Sequence, residues 1–255
     1  MRKTTVVLKN NIVLQSEEKM ILLLDIGNTN INIAVADGNV IIAKWRIATT
    51  HNRTADEYIA LITQLMSNHK IEPSGIKDIA ISSVVPQIMM HINKMCTNLF
   101  GIEGKSVGRE LKANIIVKTD NPSEVGADRI VNAVGVAKQY GTPAIVVDFG
   151  TATTFDVVDA QGNYCGGVIC PGINLSLHAL QEFAAKLPSI AIEKPAKVIG
   201  TNTKDAMQSG IYWGYVGLIE GLLERCTKEM EAQPIIVATG GLAPLFAQGV
   251  EAIEH

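Results

Sequence analysis

The sequence predicts an α/β protein made of two similar halves, and three observations carry that prediction. One unusual loop occurs twice, as Asp25-Ile26-Gly27-Asn28-Thr29-Asn30 after the apolar run Ile21-Leu22-Leu23-Leu24, and as Asp148-Phe149-Gly150-Thr151-Ala152-Thr153-Thr154 after Ala144-Ile145-Val146-Val147. Alternating apolar residues follow each copy, Ile31, Ile33 and Val35 in the first and Phe155 and Val157 in the second, and read as a returning strand. A valine, Val35 or Val158, falls at the same offset after the acid in both copies, which points to duplication of a whole strand-strand-strand-helix unit.

The elements can be justified in order. Residues 20–26, 31–36 and 40–47 read as an antiparallel meander turning at Asp37-Gly38-Asn39. Thr54-Ala55-Asp56-Glu57 is a capping box, and Tyr58, Leu61, Ile62, Leu65 and Met66 recur at helical spacing, so a helix should run to about His69. The apolar stretch 78–85 is a strand that ends in Ser82-Ser83, is stopped by Pro86, and is predicted to reach a ligand cleft. A helix at 87–100, a strand near 114–117 and a helix at 123–140 complete a first half of residues 20–140.

The second half, 141–255, repeats the pattern with strands at 144–149, 153–159 and 163–169 and a helix at 174–186. A long helix over 203–231 carries Gly210, Gly214, Gly217 and Gly221 along one face. Each interior glycine costs a helix about 1 kcal/mol relative to alanine, so the stripe implies a close contact, either with a second copy of the chain or with the chain's own sheet. A last strand at 234–238 runs into the glycine turn Thr239-Gly240-Gly241. Residues 1–19 stand apart as an extension ahead of Met20; a disordered arm or a small hairpin turning at Asn10-Asn11 are both open readings.

Composition narrows the function. Of 255 residues 47% are hydrophobic, enough for buried cores, and a net charge of -3 with no Lys/Arg run longer than two argues against electrostatic nucleic-acid binding. No signal peptide or membrane span is evident, so a cytoplasmic protein with small ligands is expected. Cys96, Cys165, Cys170 and Cys226 form no CxxC pair and have no histidine at zinc spacing, which predicts buried reduced thiols.

The chemistry-bearing residues are the two loops and a third segment between them. In each loop a glycine lets backbone N–H groups approach an anion, Asn and Thr side chains add donors, and a strand-end carboxylate can hold a cation that screens phosphate charge. Two such loops facing each other would clasp a nucleotide. The third segment is Asp120-Asn121-Pro122-Ser123-Glu124-Val125-Gly126-Ala127-Asp128-Arg129. With Ser123 as N-cap, Asp128 sits early in a helix, where the dipole favours a carboxylate; that carboxylate can take a hydroxyl proton during phosphoryl transfer, while Arg129 can clamp an anion.

Duplicated loops of this kind resemble the actin and sugar kinase superfamily, which implies two ribonuclease H-like halves with an ATP cleft between them. A finer resemblance is carried by Asp25 to Asn30, Ser82-Ser83-Val84-Val85-Pro86, Asp120-Asn121-Pro122, Gly126-Ala127-Asp128-Arg129, Asp148 to Thr153, Gly166-Gly167 with Pro171-Gly172, and Met207-Gln208-Ser209-Gly210. In that order, over nearly all of residues 20–250, these look like the type III pantothenate kinases. The resemblance implies transfer of the ATP γ-phosphate to pantothenate in a cytoplasmic homodimer, with Mg²⁺ and a monovalent cation, K⁺ or NH₄⁺, and neither nucleic acid nor membrane as partner.

By the same resemblance Asp25, Ile26, Gly27, Asn28, Thr29, Asn30, Ile31 and Asn32 would wrap the ATP phosphates, and Thr151 would touch ATP. Asp128 would be the proton acceptor; Gly126, Ala127, Arg129 and Thr203 would bind pantothenate; Asp148 would hold the monovalent cation. Thr119 stands where the family usually has a tyrosine, removing an aromatic wall against pantothenate. The chain stops at His255, where relatives usually continue through one more helix. The alternative function is a non-catalytic, regulatory nucleotide-binding protein of the same fold.

Overall fold

The computed structural model of the protein describes residues 20–184 and 187–255; the arm 1–19, with its candidate hairpin, lies outside the described residues. Two compact units are present. Among the described residues the first runs to Asn114 and takes in Ser123–Gly135, and the second comprises Ile115–Pro122 and Val136–His255. The division expected between residues 140 and 141 therefore falls inside a helix, and 115–122 belongs to the second unit.

In the first unit, strands β1 (Met20–Ile26), β2 (Asn30–Asp37), β3 (Val40–Ala48), β4 (Ile76–Ser83) and β5 (Lys105–Ser106) form one sheet in the order β3-β2-β1-β4-β5. β1 pairs antiparallel with β2 and parallel with β4. Alternation decides which face is buried: Leu22, Leu24 and Ile26 of β1, Ile31, Ile33 and Val35 of β2, and Ile79 and Ile81 of β4 enter one apolar cluster. Helices α1 (Ala55–Ser67) and α2 (Met89–Phe100) cover that face with Tyr58, Ile62, Met66, Ile92 and Met95, while the opposite face carries Asp25, Asn32 and Ser82 beside the buried Leu23, Ala34, Ala36 and Ala80.

The predicted capping box is formed: Thr54 Oγ1 accepts from the Glu57 N–H, and the Thr54 N–H donates to Glu57 Oε2 at 2.7 Å. Helix α1 ends at Ser67, two residues short of expectation, because Lys70 turns into the left-handed region at φ 57° and the Ile71 N–H closes back on the Met66 carbonyl.

The second unit repeats the plan. Helix α3 (Ala127–Gln139) leads into β6 (Ala144–Phe149), β7 (Ala152–Val158) and β8 (Tyr164–Pro171), and β9 (Ile235–Gly240) completes a sheet of order β8-β7-β6-β9. Between β8 and β9 run α4 (Ile173–Phe183) and α5 (Thr203–Met230), and α6 (Ala243–Phe246) follows β9. Ile145, Val147, Phe149 and Phe155 pack against Tyr212, Tyr215, Val216, Ile219 and Leu223 of α5. The first four strands of one sheet and the four of the other share both order and direction of pairing, so the duplication read from two loops extends to the whole strand framework.

Three expectations are corrected. The strand predicted near 114–117 is no strand of the first half; residues 116–118 make a short bridge to Tyr164, with the Lys118 N–H donating to the Tyr164 carbonyl at 2.7 Å. The helix expected from 123 begins at Ala127, and Pro122–Glu124 is a separate 3-10 turn, so Ser123 is not its N-cap. Of the cysteines, all unbridged, only Cys96 is buried and its thiol is pushed up to about 12 by desolvation; Cys165 is exposed because it lies at an outward position of β8. No described helix is long and apolar enough to cross a membrane.

Candidate active site

The first loop is built by its own backbone and by the strand that follows the hairpin. The Gly27 N–H donates to the Asn30 carbonyl at 3.0 Å, Thr49 Oγ1 donates to the Gly27 carbonyl at 2.6 Å, and the Thr49 N–H donates to the Thr29 carbonyl at 2.9 Å. A Cβ at Gly27 would stand 3.3 Å from the Asn30 carbonyl oxygen, so the tight turn favours glycine there. Thr49 closes the loop but carries no sequence signal of its own; it was missed because only the β2–β3 register brings it back to residues 27–29.

Asp25 leaves β1 on the face away from the apolar cluster. Its register partners are Asn32 on β2 and Ser82 on β4, and Asn32 Nδ2 donates to Asp25 Oδ2 at 3.1 Å. Burial is the main influence and raises the Asp25 carboxyl above the usual carboxylate range; the nearby charge of Asp128 adds to the rise, while hydrogen bonding from Asn32 and Ser82 opposes it.

The charge of Asp128 is felt at Asp25, and both acids belong to the first unit. Asp128 lies in the first turn of α3, and its Oδ1 accepts from the Arg129 N–H at 2.9 Å. A Cβ at Gly126 would come within 2.4 Å of that same Oδ1, so the glycine makes room for the carboxylate. Gly126, Ala127, Asp128 and Arg129 thus form one turn, with the Gly126 carbonyl accepting from the N–H groups of Arg129 and Ile130.

The second loop has the same construction in the second unit. Asp148 lies between Thr154 on β7 and Thr239 on β9 in the sheet register, as Asp25 lies between Asn32 and Ser82. The Gly150 N–H donates to the Ala152 carbonyl at 3.1 Å, and the Gly172 N–H to the Thr151 carbonyl at 3.1 Å. A Cβ at Gly172 would fall 2.3 Å from the Thr151 carbonyl oxygen, and one at Gly240 2.5 Å from that of Phe149, so two glycines press their backbones onto this loop.

The residues in register with Asp148, Thr154 and Thr239, both carry hydroxyls, the Thr154 hydroxyl donating to Asp156 Oδ2 at 3.3 Å, and no group of three His, Cys, Asp or Glu side chains is assembled among the described residues. Such a set suits hard cations that complete their shells with phosphate oxygens and water, as K⁺ and Mg²⁺ do, and does not suit zinc.

Thr203 is the first residue of α5, whose N-cap Asn202 accepts the Asp205 N–H at 2.9 Å. With Gly200, Thr201, Asn202, Met207 and Leu180 it lines a cavity of about 720 Å³ in the second unit. Thr119 is in the second unit too, and its buried hydroxyl makes no hydrogen bond.

Comparison with known proteins identifies the family. The family model of type III pantothenate kinases matches residues 21–225. The chain belongs to that family. Among curated relatives, the type III pantothenate kinase of Paramagnetospirillum magneticum is 52% identical over 235 residues, covering 92% of this chain and 90% of the relative. The enzyme of the same name from Halalkalibacterium halodurans is 46% identical over 235 residues, covering 92% of each. Among solved structures, one described as a conserved putative Baf family transcriptional activator from Campylobacter jejuni has a TM-score of 0.56 at 19% identity, over 91% of this chain and 89% of that one; it shares the fold.

Proposed function

We propose that the protein phosphorylates pantothenate with ATP, giving 4'-phosphopantothenate and ADP, the first step of coenzyme A biosynthesis, in the cytoplasm and as a homodimer. The observation that carries this reading is the pairing of a strand-end carboxylate loop, Asp25 to Asn32, with the helix-start carboxylate Asp128, in a chain 45–52% identical to curated relatives named for this activity. In phosphoryl transfer the protein chiefly positions groups and stabilises charge, so a phosphate cradle beside a proton acceptor is what the reaction requires.

In this reading Asp128 accepts the hydroxyl proton as the hydroxyl oxygen bonds to the γ-phosphorus and the β–γ bridging bond breaks. Gly126, Ala127 and Arg129 orient pantothenate beside it, and Thr203 contributes from α5, across the dimer. The backbone and side chains of residues 25–32, with Thr151, hold the ATP phosphates. Asp148 holds the monovalent cation, with Thr154 and Thr239 as its hydroxyl neighbours in register. Mg²⁺, when bound, supplies charge neutralisation on the phosphate oxygens.

The test is purified protein with ATP, Mg²⁺, K⁺ and pantothenate. The expected product is phosphopantothenate, with no glucose phosphate in a parallel reaction; ADP formation that ignores pantothenate would overturn the assignment. Asp148→Asn should blunt the response to K⁺ more than that to Mg²⁺, and an unchanged K⁺ titration would remove Asp148 from the cation site.

A further inference from the structure

Asp25 is the centre of a polar row that crosses four strands. In register, Arg46 on β3 faces Asn32 on β2, Asn32 faces Asp25 on β1, and Asp25 faces Ser82 on β4. All four lie on the sheet face opposite the apolar cluster, because their chain neighbours Trp45, Ile31, Ile33, Leu24, Ile26 and Ile81 supply that cluster. Arg46 Nε donates to Asn32 Oδ1 at 3.0 Å, and Asn32 Nδ2 donates to Asp25 Oδ2 at 3.1 Å.

The direction of these bonds has a chemical reason. A guanidinium has donors only, so the Asn32 carbonyl oxygen must turn to Arg46, which leaves the amide NH₂ to face Asp25. A carboxylate on the other side accepts that NH₂ and would repel the carbonyl. The amide is thereby locked in one of its two orientations from both ends.

On the far side of Asp25, Ser82 is 2% exposed, and its hydroxyl, which meets no acceptor at full hydrogen-bond geometry, is near enough to the Asp25 carboxylate to favour its charged form. The acid in register with it is Asp25. The equivalent row of the second sheet reads Ile169, Thr154, Asp148, Thr239, with an apolar residue in place of arginine. The cationic end is thus particular to the first loop.

We propose that Arg46 and Ser82 are positioning residues for ATP: Arg46 fixes Asp25 through the Asn32 amide, and Ser82 holds the carboxylate from the opposite strand. The row delivers the carboxylate to the phosphate loop in one orientation, and its geometry survives only while both flanking donors are present. This inference rests on the reading of residues 25–32 as the phosphate cradle.

The experiment compares Arg46→Met, Arg46→Lys, Ser82→Ala and Asn32→Ala with wild type, measuring ATP·Mg²⁺ binding by calorimetry, steady-state kinetics and melting temperature. Arg46 is exposed, so its replacement leaves the core untouched. The expected result is an ATP affinity roughly 5- to 20-fold weaker in Arg46→Met and in Ser82→Ala, with the KM for pantothenate within about twofold and the melting temperature unchanged. Arg46→Lys should restore most of the loss. Once Asn32 is alanine, Arg46→Met should add little, because the arginine acts through that amide.

Unchanged ATP affinity in both single variants, full additivity of Arg46→Met with Asn32→Ala, or losses that track melting temperature would overturn the proposal. Wild type that binds ATP but leaves pantothenate unphosphorylated would instead overturn the proposed function, and the binding comparison would still decide the role of the row.

Discussion

Asp128 and Asp25 answer to different constraints although the charge of Asp128 is felt at Asp25. Asp128 sits at a helix start with a local N–H donor, whereas Asp25 is held between strands, where burial raises its carboxyl. Asp128→Asn keeps the size of the side chain and removes its ability to accept the hydroxyl proton. Turnover should fall by roughly 10²–10⁴-fold with ATP binding preserved, and near-normal turnover with chemistry rate-limiting would remove Asp128 from the role of base. For Asp25 the folded carboxyl lies above its unfolded value of about 3.9, so the folded state retains its proton longer and stability falls as pH rises through that interval. An ionised Asp25 is therefore a net destabilisation at neutral pH, tolerated for its role at the phosphates. Asp25→Asn should melt no lower than wild type at about pH 7 while ATP affinity collapses. A clear drop in melting temperature would show that the carboxylate stabilises the fold. Both acids were legible in the sequence because each sits in a loop of unusual composition. Ser82 was read as the end of a strand reaching the ligand cleft, but its place beside Asp25, like the places of Arg46 and Thr49, was not, since these come from strand register, which pairs residues 7 to 57 positions apart and leaves no local mark.

At the scale of elements, periodicity revealed what packing demanded. The strands with alternating burial, such as β3 and β8, and the capped helix α1 were readable, because each buries a face large enough to impose a repeat. The two-residue β5 and four-residue α6 were not, being too short to show a period, and they exist by docking on β4 and on the cluster around Phe246. Segment 115–122 was misplaced for a similar reason: its ties to the second unit include one bridge and one ion pair, which leave no period. Lys118 Nζ meets Asp159 Oδ2 at 2.7 Å, and Asp159 Oδ1 accepts from the N–H groups of Gln161 and Asn163. Burial works against the Asp159 charge, but the donors from Lys118, Asn163 and Gln161 together outweigh it and hold the carboxyl below the usual range. A depressed carboxyl contributes stability above its unfolded pKa, and that contribution is lost as pH falls from about 4 through the lower folded value. Asp159→Asn should thus melt below wild type at neutral pH, with the gap closing in strong acid. A gap that stays constant across the acid range would show that the charge of Asp159 is not what ties the segment down.

For the molecule as a whole, the open question posed by the sequence was what the glycine stripe of α5 touches. Among the described residues it touches nothing at three of its positions: a Cβ added at Gly210, Gly214 or Gly217 meets no atom within 4 Å, and all three residues are exposed. Packing on the chain's own sheet is therefore ruled out for these three, and the buried face of α5 is instead carried by Tyr212, Tyr215, Val216, Ile219 and Leu223. Three interior glycines that open to solvent would weaken the helix by about 1 kcal/mol each without return. Exposed Phe183, Val198 and Ile199 lie in the same unit, at 85%, 64% and 81% exposure, more apolar surface than an isolated unit needs. The homodimer proposed above would account for both features if its second copy sat on α5. Gly217→Leu tests that contact, because a Cβ there meets no atom of the described residues within 4 Å. The variant should fold and retain the secondary structure of wild type, yet shift towards monomer in light scattering, since each interface then carries two obstructing side chains at a cost of at least about 1–3 kcal/mol. Thr203 begins the same helix, so loss of the dimer should raise the KM for pantothenate more than that for ATP. A dimer that survives Gly217→Leu with unchanged kinetics would leave the stripe facing solvent and place Thr203 outside any site shared between copies.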